Sequence, residues 1–385
     1  MTPEAATIQQ TNRFDRMEIA GAFGDLGTLI PFVVAYLAVL KMDPFGVLFA
    51  FGISMLVCGI VYRTPIPVQP MKAAGAIATT QAAQTLVLTP AMVHGASLVT
   101  GLVWLVLGLT GTANRVASLV KRPIVIGIVL GLGFGFMIEG AKMMSQNWWV
   151  GSVALFGTSL LLSNRVIPAM FLLLVLGAAY GVLADPTLLD ALRTIQVEPR
   201  WPTFVLGQLT WNDFVIGAVF LALPQVPLTL GNAVMAITEE NNRLFPNRPV
   251  TEGKIATSTG LMNLLSASVG GVPMCHGAGG MAGHVQFGAR TGGAVVILGT
   301  VLVLTAIFFS GSVGTLLRLF PPSILGVILF LTGAQLALGS CDLSRDKGER
   351  FVTIITGALA VWNVGIAFVV GMAAYALNKR GWLRV

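Results

Sequence analysis

Charged residues are scarce in this sequence. Only 10% of its 385 residues are Asp, Glu, Lys or Arg, whereas soluble domains carry about 25%. This scarcity excludes soluble enzymes, nucleic-acid-binding proteins and disordered chains. The three cysteines are far apart and odd in number, which argues against a disulfide framework or a CxxC metal site. Apolar residues are abundant instead, at 55% of the chain with a mean hydropathy of +0.83.

Long apolar runs predict an all-α polytopic membrane protein. A membrane-spanning helix needs roughly 20 apolar residues, and the runs are continuous, unlike the alternating pattern of a β-barrel. The last run is too long for one upright helix, and we interpret it as two short ones, which gives fourteen spans. The runs lie at 18–40, 45–62, 68–84, 91–112, 123–141, 147–163, 166–184, 213–237, 254–270, 273–288, 292–312, 321–340 and 350–378.

The distribution of Lys and Arg predicts the orientation. With fourteen spans and a cytoplasmic N-terminus, 17 of these residues fall on the cytoplasmic side and 5 outside, counted along the chain. With thirteen spans the split is 14 against 8. Because cytoplasmic loops are enriched in Lys and Arg, we expect fourteen spans and both termini in the cytoplasm, in a multi-pass protein of the cell membrane. The same rule explains the net charge of +7 without a nucleic-acid partner.

Two short matches indicate an internal repeat. Pro70-Met71 aligns with Pro273-Met274 at an offset of 203, and Leu26-Gly27 aligns with Leu230-Gly231 at an offset of 204. Seven spans per half is an odd number, so the second half would enter the membrane reversed, as in the inverted repeats of many transporters. The predicted organisation is a first repeat, a connecting loop and a second repeat at 1–184, 185–212 and 213–385.

The third and tenth spans carry the predicted site. Each begins with proline after a loop with little polar cover, which predicts a broken half-helix that starts within the bilayer. Proline is tolerated in a first helical turn, and helix N-termini offer free N–H groups and a positive dipole end. Two such termini brought face to face by the repeat would form an anion site. The glycines of the tenth span would let an oxyanion approach the backbone closely.

Lys72 is the only basic residue deep inside a span, where a charge needs a partner or a water-filled cavity. It is either a counter-charge for an anionic substrate or an ion-pair partner of Asp25, and both roles can coexist. Asp25 is the only deep acid and also a candidate for proton coupling. His276 is either a donor to an oxyanion or an interior histidine bonded to a backbone carbonyl. The predicted substrate-binding set, by side chain or backbone amide, is Gln69, Lys72, Ala73, Gln225, Thr229, Cys275, His276, Gly277 and Ala278.

A metal centre or an enzymatic dyad is not expected. Cys275 and His276 are adjacent, and His284 follows eight residues later with no carboxylate near it in sequence. Adjacent residues on one helix point about 100° apart, which does not suit a Cys–His pair. We therefore expect no metal, no cofactor and no enzymatic activity.

The signature stretches resemble those of the molybdate transporter family, a relative of the sulfate permeases. PVQPMKAAGAIA at 67–78 and PMCHGAGGMAGHVQFGARTG at 273–292 resemble its two specific motifs, and GAFGDLGTLIPF at 21–32 and PLTLGNA at 227–233 resemble companion motifs. The resemblance implies a seven-plus-seven inverted repeat. Spans 1–4 and 8–11 would form a core domain and spans 5–7 and 12–14 a gate domain, with substrate between the third and tenth half-helices.

The resulting expectation is a secondary active transporter of molybdate that works by movement of the core against the gate. Two alternatives stay open from the sequence. One is a transporter of the same fold for sulfate or another tetrahedral oxyanion, and the other is an anion channel. The coupling ion is undefined, with a proton as one candidate. Small-residue faces in the gate spans are compatible with a homodimer embedded in membrane lipid.

Overall fold

The computed structural model describes residues 11–80, 87–112, 121–161, 169–193, 195, 197–338 and 343–382. These ranges contain all the predicted site residues. Several predictions lie outside them, namely the span residues 81–84, 162–163, 166–168 and 339–340, the charges Arg115, Arg165 and Arg384, and Cys341.

Helices make up nearly all the regular structure of the described residues. The first half contains α1 (Arg16–Ala22), α2 (Leu26–Val39), α3 (Pro44–Tyr62), β1 (Gln69–Pro70), α4 (Lys72–Thr80), α5 (Pro90–Thr110), α6 (Arg122–Met144), α7 (Trp148–Leu161), α8 (Ala169–Ala184) and α9 (Thr187–Arg193). The second half contains α10 (Trp211–Ile216), α11 (Leu223–Leu228), α12 (Ala236–Leu244), α13 (Glu252–Val269), β2 (Met274–Cys275), α14 (Ala278–Gln286), α15 (Gly293–Phe309), α16 (Val313–Arg318), α17 (Pro322–Leu338), α18 (Lys347–Trp362) and α19 (Val364–Lys379). Two π-helical turns, Gly217–Ala222 and Thr229–Met235, join α10, α11 and α12 into one continuous helical path.

Local sequence explains where the long helices begin and end. The Asp43 side chain accepts from the N–H of Phe45 and caps α3, whose first residue is proline. Thr89 caps α5 in the same way. At the end of α13, Gly270 adopts a left-handed conformation with φ of 80°, which glycine reaches without a steric penalty. These capping residues satisfy N–H and C=O groups that have no partner inside the helix.

The described residues include five helices long and apolar enough to cross a membrane, or up to seven if each bent pair of helices counts as one span. This confirms the polytopic membrane class. The final apolar run forms two helices, α18 and α19, which meet at Asn363. The fourteen spans and the reversed orientation of the second half remain predictions.

The largest helix contacts each join one helix from the first half to one from the second. Helix α6 packs on α17 and α18, α5 packs on α13, and α3 packs on α15. Glycines make these approaches close. Gly127 and Gly131 of α6 lie directly against the backbone of α18, and Gly133 lies against Gly333 of α17. Such small-residue contacts are typical of helix packing in membranes.

Glu18 fastens the first helix to the start of α15. Its side chain is fully buried. One carboxylate oxygen accepts from the N–H groups of Arg290 and Thr291, both at 2.9 Å, and the other accepts from that of Ala294 at 3.1 Å. A carboxylate at a helix N-terminus is stabilised by the free amides and by the helix dipole. This contact fixes α1 beside α14 and the loop that follows it.

Candidate anion-binding site

The two broken spans meet through a short antiparallel strand pair. Gln69 lies opposite Cys275 and Pro70 opposite Met274, and the N–H of Met71 donates to the carbonyl of Pro273 at 2.9 Å. One residue, Met71, separates β1 from α4, and two residues, His276 and Gly277, separate β2 from α14. The pairing therefore brings the N-termini of α4 and α14 to one place.

The start of α4 is covered by a side chain from another helix. The Gln225 Oε1 atom accepts from the N–H of Ala73 at 2.7 Å and from that of Ala74 at 3.2 Å. The amide nitrogen of Gln225 donates to the Thr229 hydroxyl at 2.8 Å. Gln225 and Thr229 are both buried. Three of the predicted site residues are thus joined, with a neutral carboxamide oxygen in the position that an anion oxygen would take.

The start of α14 has no such cover. No side chain caps it at Gly277, and the N–H groups of Ala278 and Gly279 have no hydrogen-bond acceptor among the described residues. A Cβ atom built on Gly279 would meet nothing within 4 Å, so open space adjoins this turn. A Cβ on Gly280 would lie within 2.8 Å of the Asp25 carboxylate. The first turn of α14 is therefore open on the side of Gly279 and tightly packed on the side of Gly280.

Lys72 is half-buried at the first position of α4. It makes no hydrogen bond and no ion pair within 4.0 Å with any residue that the structure describes. Cys275 and Asp25 are the titratable groups that act on it electrostatically. The Asp25 Oδ1 atom accepts from the Gln69 amide at 2.5 Å, and the roles of Lys72 and Asp25 as ion-pair partners or site residues remain predictions.

His276 adopts the arrangement of an interior histidine. Its Nδ1 atom lies 2.8 Å from the carbonyl of Pro67, and its Nε2 atom lies 2.8 Å from the Ser258 hydroxyl. The ring also packs edge-on against Tyr62, with centroids 5.9 Å apart. Both ring nitrogens therefore have protein partners, and no ring donor is left for a ligand. Cys275 is a buried free thiol on the neighbouring strand position.

Sequence reasoning did not include two buried residues near the site among the candidate site residues. The hydroxyl of Tyr36 and the Nε2 atom of His284 are buried and have no hydrogen-bond partner within the described part of the chain. The sequence signal for His284 is its position four residues after Gly280, which places both on one face of α14. Within the described part of the chain no group of three or more His, Cys, Asp or Glu side chains is placed to hold a metal ion.

Comparisons of sequence point to one family. A family described as "Molybdate transporter of MFS superfamily" matches residues 17–136 and 217–336, more than half of the chain. Molybdate transporter 2 of Arabidopsis thaliana is 29% identical, over 94% of this chain and 87% of its own length. Molybdate transporter 1 of Chlamydomonas reinhardtii is 26% identical, over 93% of this chain and 90% of its own length.

Comparisons of structure identify the fold. The transmembrane domain of the cyanobacterial bicarbonate transporter BicA is similar with a TM-score of 0.64 and 16% identity, over 95% of this chain and 98% of that chain. The murine Slc26a9 anion transporter in the inward-facing state is similar with a TM-score of 0.68 and 11% identity, over 98% of this chain and 70% of that chain. Identities this low establish the shared fold alone.

Proposed function

This chain belongs to the molybdate transporter family, and from that premise we propose that it carries molybdate across the cell membrane as a secondary active transporter. The family and the fold make it a membrane transporter and not an enzyme. The identity of the substrate is carried over from relatives named as molybdate transporters. In this proposal both termini lie in the cytoplasm.

One observation carries the proposal, namely the β1–β2 pairing that joins two half-helix starts beside an unpaired lysine. Free N–H groups and two positive dipole ends attract an oxyanion without many charged side chains. The ammonium of Lys72 supplies the full positive charge that a dianion requires. The turn at Gly279 opens onto free space, which gives a tetrahedral oxyanion room to reach the amides.

Each predicted residue then has a role at this junction. The amides of Gly277 and Ala278 hold oxygens of the anion, and Lys72 balances its charge. The amide of Ala73 becomes available when the Gln225 carboxamide, which now accepts from it, turns aside with Thr229. Gln69 and Cys275 line the strand pair next to the anion. His276 holds the loop before β1 through the Pro67 carbonyl and acts as a positioning residue.

Transport follows from movement of a core domain that carries this site against a gate domain. The packing supports this division. Helices α3, α5, α13 and α15 contact one another in pairs, and α6 contacts α17 and α18. In the proposed cycle the core, with spans 1–4 and 8–11, carries the bound anion past the gate, with spans 5–7 and 12–14. A homodimer through the gate helices is part of the same proposal.

The test is uptake of labelled molybdate into liposomes that contain the purified protein. Uptake that accumulates against a gradient, saturates and stops with an uncoupler supports the proposal. A matched pair of variants locates the site, with Lys72→Ala expected to lose uptake and Lys142→Ala expected to retain it, because Lys142 is exposed and paired with Glu139 on α6. Uptake of sulfate that molybdate does not compete with would contradict the assigned substrate. Uptake that only ever equilibrates would indicate a channel.

A further inference from the structure

A cluster of buried polar atoms without partners lies next to the proposed anion site. The Oδ2 atom of Asp25, the Oε1 atom of Gln69 and the Nε2 atom of His284 are buried, and none has a hydrogen-bond partner among the side chains that the structure describes. A buried polar atom left unpaired costs roughly 1–3 kcal/mol, so most such atoms in folded proteins are paired. Several together on neighbouring side chains indicate that a small ligand completes the cluster.

Close packing of glycines sets Asp25 and His284 side by side. Gly21 of α1 and Gly24 contact the backbone at Ala289 and Gly283, respectively, and the carboxylate of Asp25 lies against Gly280. The two segments therefore run past each other in register, with His284 one turn beyond Gly280. One turn of helix is a rise of about 5.4 Å, and His284 is close enough to interact electrostatically with the Asp25 carboxylate.

The hydrogen bond of the histidine fixes which nitrogen is free. His284 Nδ1 lies 2.7 Å from the carbonyl oxygen of Gly21. A carbonyl can only accept, so Nδ1 carries a hydrogen, and in the neutral ring the Nε2 atom keeps its lone pair. That lone pair and the Asp25 Oδ2 atom are then two buried acceptors, and no described side chain donates to either. One proton supplies the missing donor to both.

The remaining charged groups around His284 are already engaged or lie apart. From α1, Glu18 is held by three backbone amides. From α12, Glu239 is exposed and Glu240 pairs with Arg243. From α4, Lys72 acts on Asp25 without forming an ion pair within the described structure. From the loop after α14, Arg290 donates to the carbonyls of Val285 and Ala289.

We propose that Asp25 and His284 together form the binding site of a proton that is transported with the anion, held on the Nε2 atom of His284 and shared with the Asp25 carboxylate. No covalent bond other than N–H or O–H forms or breaks. Asp25 also contacts Gln69 at the strand pair, so occupancy by the proton and by the anion are linked through one side chain. This inference rests on the proposed function.

The test uses the full-length protein in liposomes with an entrapped pH dye and labelled molybdate. His284→Asn keeps a donor to the Gly21 carbonyl and removes Nε2. Asp25→Asn keeps an acceptor for Gln69 and mimics the protonated acid. Both variants should still exchange molybdate for molybdate, yet lose accumulation driven by an inward proton gradient. His94→Asn is the matched control, since His94 is another histidine with a buried Nε2 atom but lies on α5 near Gly270, and it should keep both activities.

Three results would overturn the proton pair. They are molybdate entry in the wild type with no proton movement, accumulation that follows a sodium gradient at equal pH, and unchanged proton-driven accumulation in His284→Asn. Loss of exchange in both variants would also count against it, because exchange needs no net proton binding and Asp25→Asn imitates the loaded state. Absence of molybdate exchange in the wild type would instead refute the proposed function.

Discussion

Gln225 offers a sharp test of where the anion binds. Its Oε1 atom accepts from the N–H groups of Ala73 and Ala74 at the start of α4. Gln225→Glu keeps an oxygen in that position, and Thr229 can donate its hydroxyl to the second carboxylate oxygen. The hydrogen-bonding shape of the site is therefore retained. What changes is a full negative charge placed where the proposed dianion must approach.

The size of the effect follows from electrostatics. A single charge and a dianion about 6 Å apart repel by about 1.4 kcal/mol at a dielectric constant of 80 and about 5.5 kcal/mol at 20. Gln225 is buried, so the repulsion lies above the lower figure. An increase of 1.4 kcal/mol weakens binding about tenfold. We therefore expect the molybdate Kd of Gln225→Glu to rise at least about tenfold.

Calorimetry of molybdate binding to the purified variant measures this change. Gln208→Glu is the matched control, because Gln208 lies exposed in the connection before α10 and should leave the Kd unaltered. Thermal unfolding checks that both variants fold. A folded Gln225→Glu protein with the wild-type Kd would refute the reasoning, since no dianion could then share the N-terminus of α4.

Three further predictions concern charge, space and orientation. Lys72→Ala should weaken molybdate binding by about 2 kcal/mol or more, the scale of a lost buried charge partner. The affinity of Lys72→Arg should fall between that of Lys72→Ala and that of the wild type, because the planar guanidinium is not a point charge. Native affinity in calorimetry of a Lys72→Ala, Asp25→Asn double variant would contradict this. Gly279→Leu should fold, since open space adjoins it, but should abolish binding by filling that space, whereas Gly135→Leu, also next to open space, should bind normally. The orientation with both termini in the cytoplasm can be tested in a Cys341→Ser background. An impermeant maleimide applied outside cells should label Trp201→Cys and not Asn247→Cys, both of which replace exposed residues. The reverse labelling pattern would contradict this orientation.

Sequence alone predicted those features that neighbouring residues in the chain determine, namely the helix breaks and the membrane-spanning runs. Pro70 and Pro273 each mark a break, because proline ends the preceding structure and suits the first turn of a new helix. The repeat offset also indicated that these breaks correspond, and the observed register sets Pro70 opposite Met274. Apolar runs identified the membrane class for the same reason, since every span must be apolar along its own length.

Partners far apart in the chain could not be predicted in this way. Gln225 reaches Ala73 across 152 positions, and His276 reaches Pro67 across 209. These contacts depend on how separate helices pack, and nothing in either local stretch encodes the distance. For the same reason, charge alone suggested Lys72 as the partner of Asp25, whereas in the packed structure the Asp25 Oδ1 atom accepts from the Gln69 amide.

We expect the anion to bind where the two half-helices begin. Molybdenum scatters X-rays anomalously near its absorption edge, so crystals of the protein grown with molybdate can locate the bound metal atom directly. We expect one anomalous peak between the starts of α4 and α14, with oxyanion oxygens in hydrogen-bonding distance of the Ala278 amide and the Lys72 ammonium. A peak elsewhere in the protein, with that junction still closed by Gln225 alone, would contradict it.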